Sequence, residues 1–253
     1  MVIETASDSL LGDRDENQDR LSVTRRGDTV LAAVVDGMGG HESGAEAAQT
    51  AIDSMHAAFA AAALPLSEPQ AFLATLLNDA HNAVVELGAN RMLGAKPRAT
   101  CVVAIIQGRE TCWAHIGDSR AYWLREERVL ERTRDHSHVE ILLQEGLISE
   151  DELREHPLRN YVEYCLGGDP GEPTMTISDM HTLEHGDLLL LCSDGLWSGA
   201  EDSDITQILG RHGGFGDLQD ALSALMQLAV AACSPAADNT TAAVVLWQDP
   251  QSD

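Results

Sequence analysis

Apolar residues along this chain recur at two different spacings, and the change of spacing predicts where helices and strands lie. Residues Ala45–Ala62 and Pro69–Arg91 carry apolar side chains at helical intervals, and Pro69 suits a first helical turn. Two further segments with the same period, Ile205–Leu209 and Leu218–Ala232, predict helices nearer the C-terminal end.

Elsewhere the apolar runs are short, rich in Val, Ile, Trp and Tyr, and bounded by turn residues, which is typical of antiparallel strands. The first 40 residues are likewise extended segments and turns. Because strands occur at the start, middle and end with helices between them, the order favours an α+β fold over a regular βαβ alternation. The predicted strands are Thr29–Val35, Thr100–Gln107, Thr111–Gly117, Ala121–Leu124, Thr174–Met180, Asp187–Cys192 and Thr240–Trp247.

No internal repeat and no Pro-, Gly- or Ser-rich linker divides the sequence, so we expect residues 1–253 to form a single domain. One segment interrupts the alternation of strands and helices. Residues 136–155 are polar, acidic and only patchily helical, and we expect them to lie at the surface.

The net charge of the chain argues against anionic binding partners. Its 253 residues carry 41 Asp and Glu against 16 Lys and Arg, a formal net charge of −25. Nucleic acids and anionic membranes are bound through clustered Lys and Arg, so we expect neither as a partner. No run approaches the roughly 18 apolar residues that span a bilayer. Such a chain should attract cations instead.

The cysteines and the N-terminal residues indicate a compartment. Five cysteines, none in a Cys-x-x-Cys pair and most of them inside apolar runs, predict free thiols, which are typical of a reducing environment. Residues 1–8 have neither the basic start nor the long apolar stretch of a signal peptide. We therefore expect a cytoplasmic protein.

Four aspartates stand at the ends of four apolar, strand-like runs. Asp36 closes one run and is followed by a glycine-rich turn. Asp118 and Asp194 follow two other runs, and Asp238 precedes the last one. A single aspartate there is an ordinary turn residue, but four clustered carboxylates would repel one another unless a hard divalent cation such as Mg²⁺ or Mn²⁺ lay between them. The alternative is four unrelated turns.

The sequence lacks the motifs of two other kinds of phosphate site, the nucleotide-binding loop and the cysteine nucleophile. No G-x-x-x-x-G-K-[ST] sequence is present, and the glycines after Asp36 do not continue as G-x-G-x-x-G. None of the five cysteines begins a Cys-x5-Arg arrangement, which excludes a cysteine nucleophile of that kind. Arg14, in a polar segment before a strand, has the planar fork that suits a phosphate, although a solvated loop is the alternative interpretation.

Taken together and in order, five motifs resemble the metal-dependent Ser/Thr protein phosphatases of the type 2C family, in its bacterial branch. The resemblance spans about residues 12 to 245. It implies a four-layer αββα sandwich, in which two packed antiparallel sheets are flanked by helices. The motifs are Arg14 with Gln18-Asp19, Asp36-Gly37-Met38-Gly39-Gly40-His41, Gly117-Asp118-Ser119-Arg120, Ser193-Asp194-Gly195-Leu196-Trp197, and Asp238-Asn239-Thr240-Thr241.

The resemblance also implies a set of metal ligands. Asp36 would bridge two Mn²⁺ or Mg²⁺ ions, and the Gly37 carbonyl would bind one of them. Asp194 and Asp238 would bind the other. Asp118 matches the residue that holds a third ion together with Asp194 in bacterial relatives.

Further roles follow from the same resemblance. Asp19 would be an outer-shell residue that orients metal-bound water, and Arg14 would clamp the phosphate. Residues 136–165 would form a variable flap near the active site. Some relatives carry histidine at the position of Met38, where it is thought to protonate the leaving group, so the general acid is unassigned here.

The expected function is hydrolysis of phosphoserine and phosphothreonine in proteins, by attack of a metal-bridging water or hydroxide. The expected substrates are phosphoproteins modified by a cognate Ser/Thr kinase, and the expected state is a monomer. The alternative is a pseudophosphatase, in which the same fold binds a partner or ligand without turnover. The presence of every expected carboxylate and of Arg14 argues against that alternative.

Overall fold

Two antiparallel sheets lie face to face in the computed structural model, and helices cover the outer face of each. The structure describes residues 2–38, 42–90, 96–149, 152, 156–158, 161–211, 214 and 216–249. These ranges contain twelve strands and six helices that we number in chain order.

The strands are β1 (Val2–Leu10), β2 (Arg20–Arg26), β3 (Thr29–Met38), β4 (Arg98–Gln107), β5 (Glu110–Ile116), β6 (Arg120–Arg125), β7 (Arg128–Arg132), β8 (Leu166–Gly167), β9 (Thr176–Ile177), β10 (His181–Thr182), β11 (Leu188–Cys192) and β12 (Thr240–Gln248). The helices are α1 (Glu42–Ala61), α2 (Pro69–Leu87), α3 (His138–Gln144), α4 (Asp194–Trp197), α5 (Asp202–Gly210) and α6 (Leu218–Cys233).

The first sheet has the strand order β1-β12-β11-β6-β7, and the second has the order β10-β5-β4-β3-β2, with β8 paired to β4 and β9 to β5. Neighbouring strands in both sheets run antiparallel. The chain passes from the second sheet to the first between β5 and β6, within residues 117–119.

Both faces of the central strands are buried, which explains why their sequences are continuously apolar rather than alternating. In β3, Leu31, Ala33 and Val35 pack with α1 and α2. Their neighbours Val30 and Val34 point the other way, into the layer between the sheets. β11 and β12 divide in the same manner between that middle layer and the helices α4 to α6. Three apolar layers therefore hold four layers of structure together.

The α+β class and the four-layer sandwich predicted from the sequence are confirmed. The predicted strand at Thr174–Met180 is wrong in extent, because only Thr176–Ile177 pairs there, as β9. α2 ends at Leu87, and its predicted end, Arg91, lies outside the described residues. The sequence pattern missed β7, β8 and β10 because two of them have only two residues and β7 is largely exposed.

Within the described ranges, none of the helices combines the length and the apolar character that crossing a bilayer requires. The polar segment predicted for residues 136–155 contributes α3, whose first turn is capped by the side chain of Ser137.

Leu189 gives a test of the middle layer, because its side chain is 1% exposed and packs between the sheets. We expect Leu189→Ala to lower the free energy of unfolding by about 2–5 kcal/mol through lost burial and a residual cavity. Urea denaturation measures the change. Leu130→Ala, on the exposed strand β7, is the control and should stay within about 0.5 kcal/mol of the parent. Equal effects of the two substitutions would contradict this packing.

Candidate metal centre

Strands from both sheets end at one end of the sandwich, and their terminal aspartates meet there. From the second sheet, Asp36 lies near the C-terminal end of β3, opposite Thr100 of β4. From the first sheet, Asp194 follows β11 and Asp238 precedes β12. Asp118 lies on the passage from β5 to β6, between the two sheets. The sheet packing thus assembles carboxylates that are far apart in sequence.

Asp19 joins this cluster from the residue before β2. Arg20 is paired with Val35, so the next step of the same register brings Asp19 beside Asp36. The Ser193 hydroxyl donates a hydrogen bond to Oδ2 of Asp19 at 2.7 Å and accepts one from the backbone N–H of Thr241 at 3.0 Å. The bond from Ser193 to Asp19 links the two sheets directly at the cluster.

Gly37 allows a close approach of the backbone beside Asp36. A Cβ atom at Gly37 would collide with the backbone carbonyl oxygen of Gly44 in α1, so a larger residue would push the helix away from the strand end. Asn239 fixes the other side of the same region. Its side-chain oxygen accepts from the Gln18 N–H at 2.8 Å, and its amide nitrogen donates to the Leu11 carbonyl at 2.9 Å.

Burial and mutual repulsion dominate the electrostatics of the cluster. Burial, and then the charges of Asp19, Asp194 and Asp118, raise the pKa of Asp36 well above its usual value. The same two causes, with Asp118 as the strongest neighbour, raise the pKa of Asp194 well above its usual value. Negative charge on these groups is therefore costly until a cation offsets it.

Asp19 and Asp118 are both 3% exposed. Burial raises the pKa of Asp19 to about 6, although the hydrogen bond from Ser193 opposes the shift. Burial and the nearby charge of Asp135 raise the pKa of Asp118 to about 7. One carboxylate oxygen of each, Oδ1, is buried without a hydrogen-bond partner. Buried polar atoms normally have partners, so two such oxygens in one cluster point to a ligand.

Over the part of the chain that the structure describes, one arginine side chain pairs directly with an aspartate of this cluster. Nη2 of Arg14 lies 2.6 Å from Oδ2 of Asp238, and this ion pair is partly exposed. Among the described residues, no three Asp, Glu, His or Cys side chains form a complete ligand set by themselves. Mg²⁺ is commonly held by one or two carboxylates with carbonyl oxygens and waters, so the donor set still fits a divalent cation.

The seven residues singled out from the sequence all lie at this end of the sandwich or on the segments leading into it: Arg14, Asp19, Asp36, Gly37, Asp118, Asp194 and Asp238. Gly39, Gly40 and His41 lie outside the described residues. Arg14, predicted as a phosphate ligand, here contacts Asp238. Ser193 and Asn239 belong to the quoted motifs, but the sequence pattern assigns neither of them a role.

A cluster of carboxylates from two stacked sheets, with buried oxygens that have no hydrogen-bond partner, is typical of a protein that binds divalent cations through oxygen ligands. The model of the protein phosphatase 2C family matches residues 8–229, and the chain belongs to that family.

Named relatives are bacterial phosphatases. The chain is 32% identical over 235 residues to the serine/threonine protein phosphatase PstP of Mycobacterium tuberculosis, covering 91% of this chain but only 42% of PstP. It is 33% identical over 202 residues to the protein phosphatase PhpP of Streptococcus pneumoniae, covering 78% of this chain and 79% of PhpP. The PstP catalytic domain in complex with two manganese ions matches with a TM-score of 0.81 at 28% identity, covering 98% of this chain and 99% of that domain.

The raised pKa of Asp118 predicts how stability without metal depends on pH. Because the pKa of Asp118 in the folded protein, about 7, exceeds its ordinary value of 3.8, the stabilising contribution is full below pH 4 and is lost as pH rises through 7. In excess EDTA at pH 8, we expect Asp118→Asn to unfold with a free energy on the order of 2 kcal/mol higher than the parent. Urea denaturation at pH 8 and pH 4.5 measures this gain, which should shrink at the lower pH.

Asp28→Asn removes the same charge at a side chain that is 82% exposed, and it controls for the change in net charge. An Asp118→Asn protein that is less stable than the parent at pH 8 in EDTA would contradict the electrostatic account.

Proposed function

We propose that this protein is a Mn²⁺- or Mg²⁺-dependent phosphatase that hydrolyses phosphoserine and phosphothreonine in proteins. The observation that carries the proposal is the cluster of five aspartates from both sheets, with two buried oxygens left without partners. Membership of the protein phosphatase 2C family and the names of the relatives support it. Because the chain spans less than half of PstP, the activity is proposed for this chain on its own residues.

The proposed ligands are those of the aspartate cluster. Asp36, the Gly37 carbonyl, Asp194 and Asp238 would hold two divalent cations. Asp118 would hold a third together with Asp194. When bound, the ions neutralise the carboxylates, draw charge from the phosphoryl oxygens and lower the pKa of the attacking water.

Side chains around the cluster supply orientation. Asp19 is held by the Ser193 hydroxyl through Oδ2, which leaves Oδ1 as an acceptor for a water proton. The Arg14 side chain is 58% exposed, so its guanidinium can hold phosphoryl oxygens at the rim while it stays close to Asp238. Met38 carries no transferable proton, so the chain offers no acid at that position.

We propose residues 1–253 as one catalytic domain with a flap at about 136–165, a span that includes α3. The family match to residues 8–229 supports this extent. The proposed substrates are phosphoproteins of a Ser/Thr kinase, and the proposed state is a monomer. All five cysteines are free thiols, which supports a cytoplasmic location.

Hydrolysis of a phosphothreonine peptide tests the activity. We expect turnover with Mn²⁺, loss of turnover with excess EDTA, and a reduction of about 100-fold or more in Asp194→Asn because a charged ligand is removed. Asp169→Asn, at a side chain that is 79% exposed, is the control and should keep the parent rate.

Turnover that persists in EDTA would contradict the metal-dependent reaction. A folded parent protein that binds Mn²⁺ and hydrolyses no phosphopeptide would instead favour the pseudophosphatase, which the comparisons do not support.

Arg14→Ala tests the phosphate contact. We expect KM for the phosphopeptide to rise about tenfold and more than kcat falls, because a charge-assisted contact to the substrate is lost. Arg211→Ala is the matched control, since Arg211 is 59% exposed and pairs with Glu127 away from the cluster. An unchanged KM in Arg14→Ala would count against this role.

A further inference from the structure

The two arginines at the ends of β6 are held in the same way, but only one of them adjoins the aspartate cluster. Arg120 donates from Nε and Nη2 to both carboxylate oxygens of Asp135, at 2.8 and 2.7 Å. Arg125, five residues on, donates to both oxygens of Asp187, at 2.7 and 2.9 Å. The pair of Arg125 with Asp187 can therefore serve as a control for the pair of Arg120 with Asp135, which lies beside the cluster.

The pair at the cluster is nearly enclosed. The side chains of Arg120 and Asp135 are only 11% and 10% exposed. The guanidinium carbon of Arg120 lies 3.7 Å from the centre of the Trp197 ring, and Nη1 donates to the Tyr122 hydroxyl at 3.2 Å. Burial alone would lower the pKa of Arg120, but Asp135 raises it well above its ordinary value, so the cation persists. A planar fork between a carboxylate and an indole suits arginine and not lysine.

Trp197 contacts both Arg120 and the backbone of the aspartate cluster. Its indole Nε1–H donates to the backbone carbonyl of Asp118 at 2.9 Å. Trp197 is also the last residue of α4, the short helix that begins with Asp194. One indole therefore joins the backbone at Asp118 to the helix of Asp194. Because Oδ1 of Asp118 has no protein partner, the position of that carboxylate depends on its backbone.

The residue after Asp135 holds the same backbone from the other side. The His136 N–H donates to the Gly117 carbonyl at 2.9 Å, and the Gly117 N–H donates to Nδ1 of His136 at 3.3 Å. The segment that leads into residues 136–165 is thus bonded to the residue immediately before Asp118.

We propose that Arg120, Asp135 and Trp197 are positioning residues that fix Asp118 relative to Asp194 at the spacing a divalent cation requires, and that tie the base of the flap to this pair. The inference rests on the proposed function, because it takes Asp118 and Asp194 as metal ligands. The three residues act through the backbone of Asp118 and do not contact the metal.

Trp197→Phe is the primary test, because it keeps an aromatic ring against Arg120 but removes the indole N–H that binds Asp118, and the loss of ring volume is matched by the control below. Calorimetric titration of the metal-free protein with Mn²⁺ measures the affinity. We expect the class of sites that Asp118→Asn also weakens to lose about tenfold in affinity, as outer partners of metal ligands typically contribute that much. Trp247→Phe is the matched control and should bind as the parent does, since Trp247 donates to the Gly108 carbonyl at 2.8 Å, away from the cluster end of β4.

Arg120→Lys and Arg125→Lys form a second matched pair. Each removes a two-point contact to a carboxylate and keeps the charge, so both should lower Tm. Only Arg120→Lys should also weaken Mn²⁺ binding. Parent-like Mn²⁺ affinity in both Trp197→Phe and Arg120→Lys would overturn the proposal and leave these residues a purely structural role. If Arg120→Lys does not fold, Trp197→Phe decides alone.

Asp118→Asn separates this inference from the proposed function. If it weakens a class of Mn²⁺ sites while Trp197→Phe binds as the parent, only the positioning role fails. If Asp118→Asn leaves every Mn²⁺ affinity unchanged, the ligand assignment fails, and the positioning proposal fails with it.

Discussion

Repulsion among five carboxylates at one end of the sandwich is the constraint on which the rest of the structure depends. Burial and neighbouring charge raise the pKa of Asp36 and Asp194 well above their usual values, so the cluster opposes its own assembly when ionised. Only rigid surroundings can hold such groups together. The rigidity comes from three apolar layers, two beneath the helices and one between the sheets. The site therefore lowers the stability of the fold, and packing in the stacked layers offsets that loss.

The net charge of −25 adds a repulsion that acts at longer range. A phosphorylated substrate is itself negative, so the surface as a whole opposes its approach. Arg120 is fully engaged by Asp135, and Arg14 contacts Asp238, so these arginines are already partly neutralised. In the proposed reaction, attraction for the phosphoryl group must come from bound cations. The aspartates of the cluster bind those cations.

The sequence predicts the parts of this molecule that depend on local pattern. The apolar run Thr29–Val35 predicts the strand β3, and Asp36 directly after that run predicts a carboxylate at the end of the strand. Contacts such as Ser193 with Asp19, 174 residues apart, depend on strand register and sheet packing, which no local pattern specifies. The stack of Arg120 on Trp197 is beyond prediction for the same reason, although both residues belong to motifs that the sequence shows.

The position of Asp118 connects the fold to the site. Asp36 lies in β3 of the second sheet, and Asp19 lies just before β2 of the same sheet. Asp194 follows β11 and Asp238 precedes β12, both strands of the first sheet. Asp118 lies on the short connection from β5 to β6, one of the places where the chain passes from one sheet to the other. A cation held by aspartates of both sheets would cross-link them, so its binding energy would add to the stability of the stacked fold by mass action. Contacts that hold this connection in place, from Trp197 on one side and the residue after Asp135 on the other, therefore bear on the affinity for the cation and on the packing of the two sheets at once.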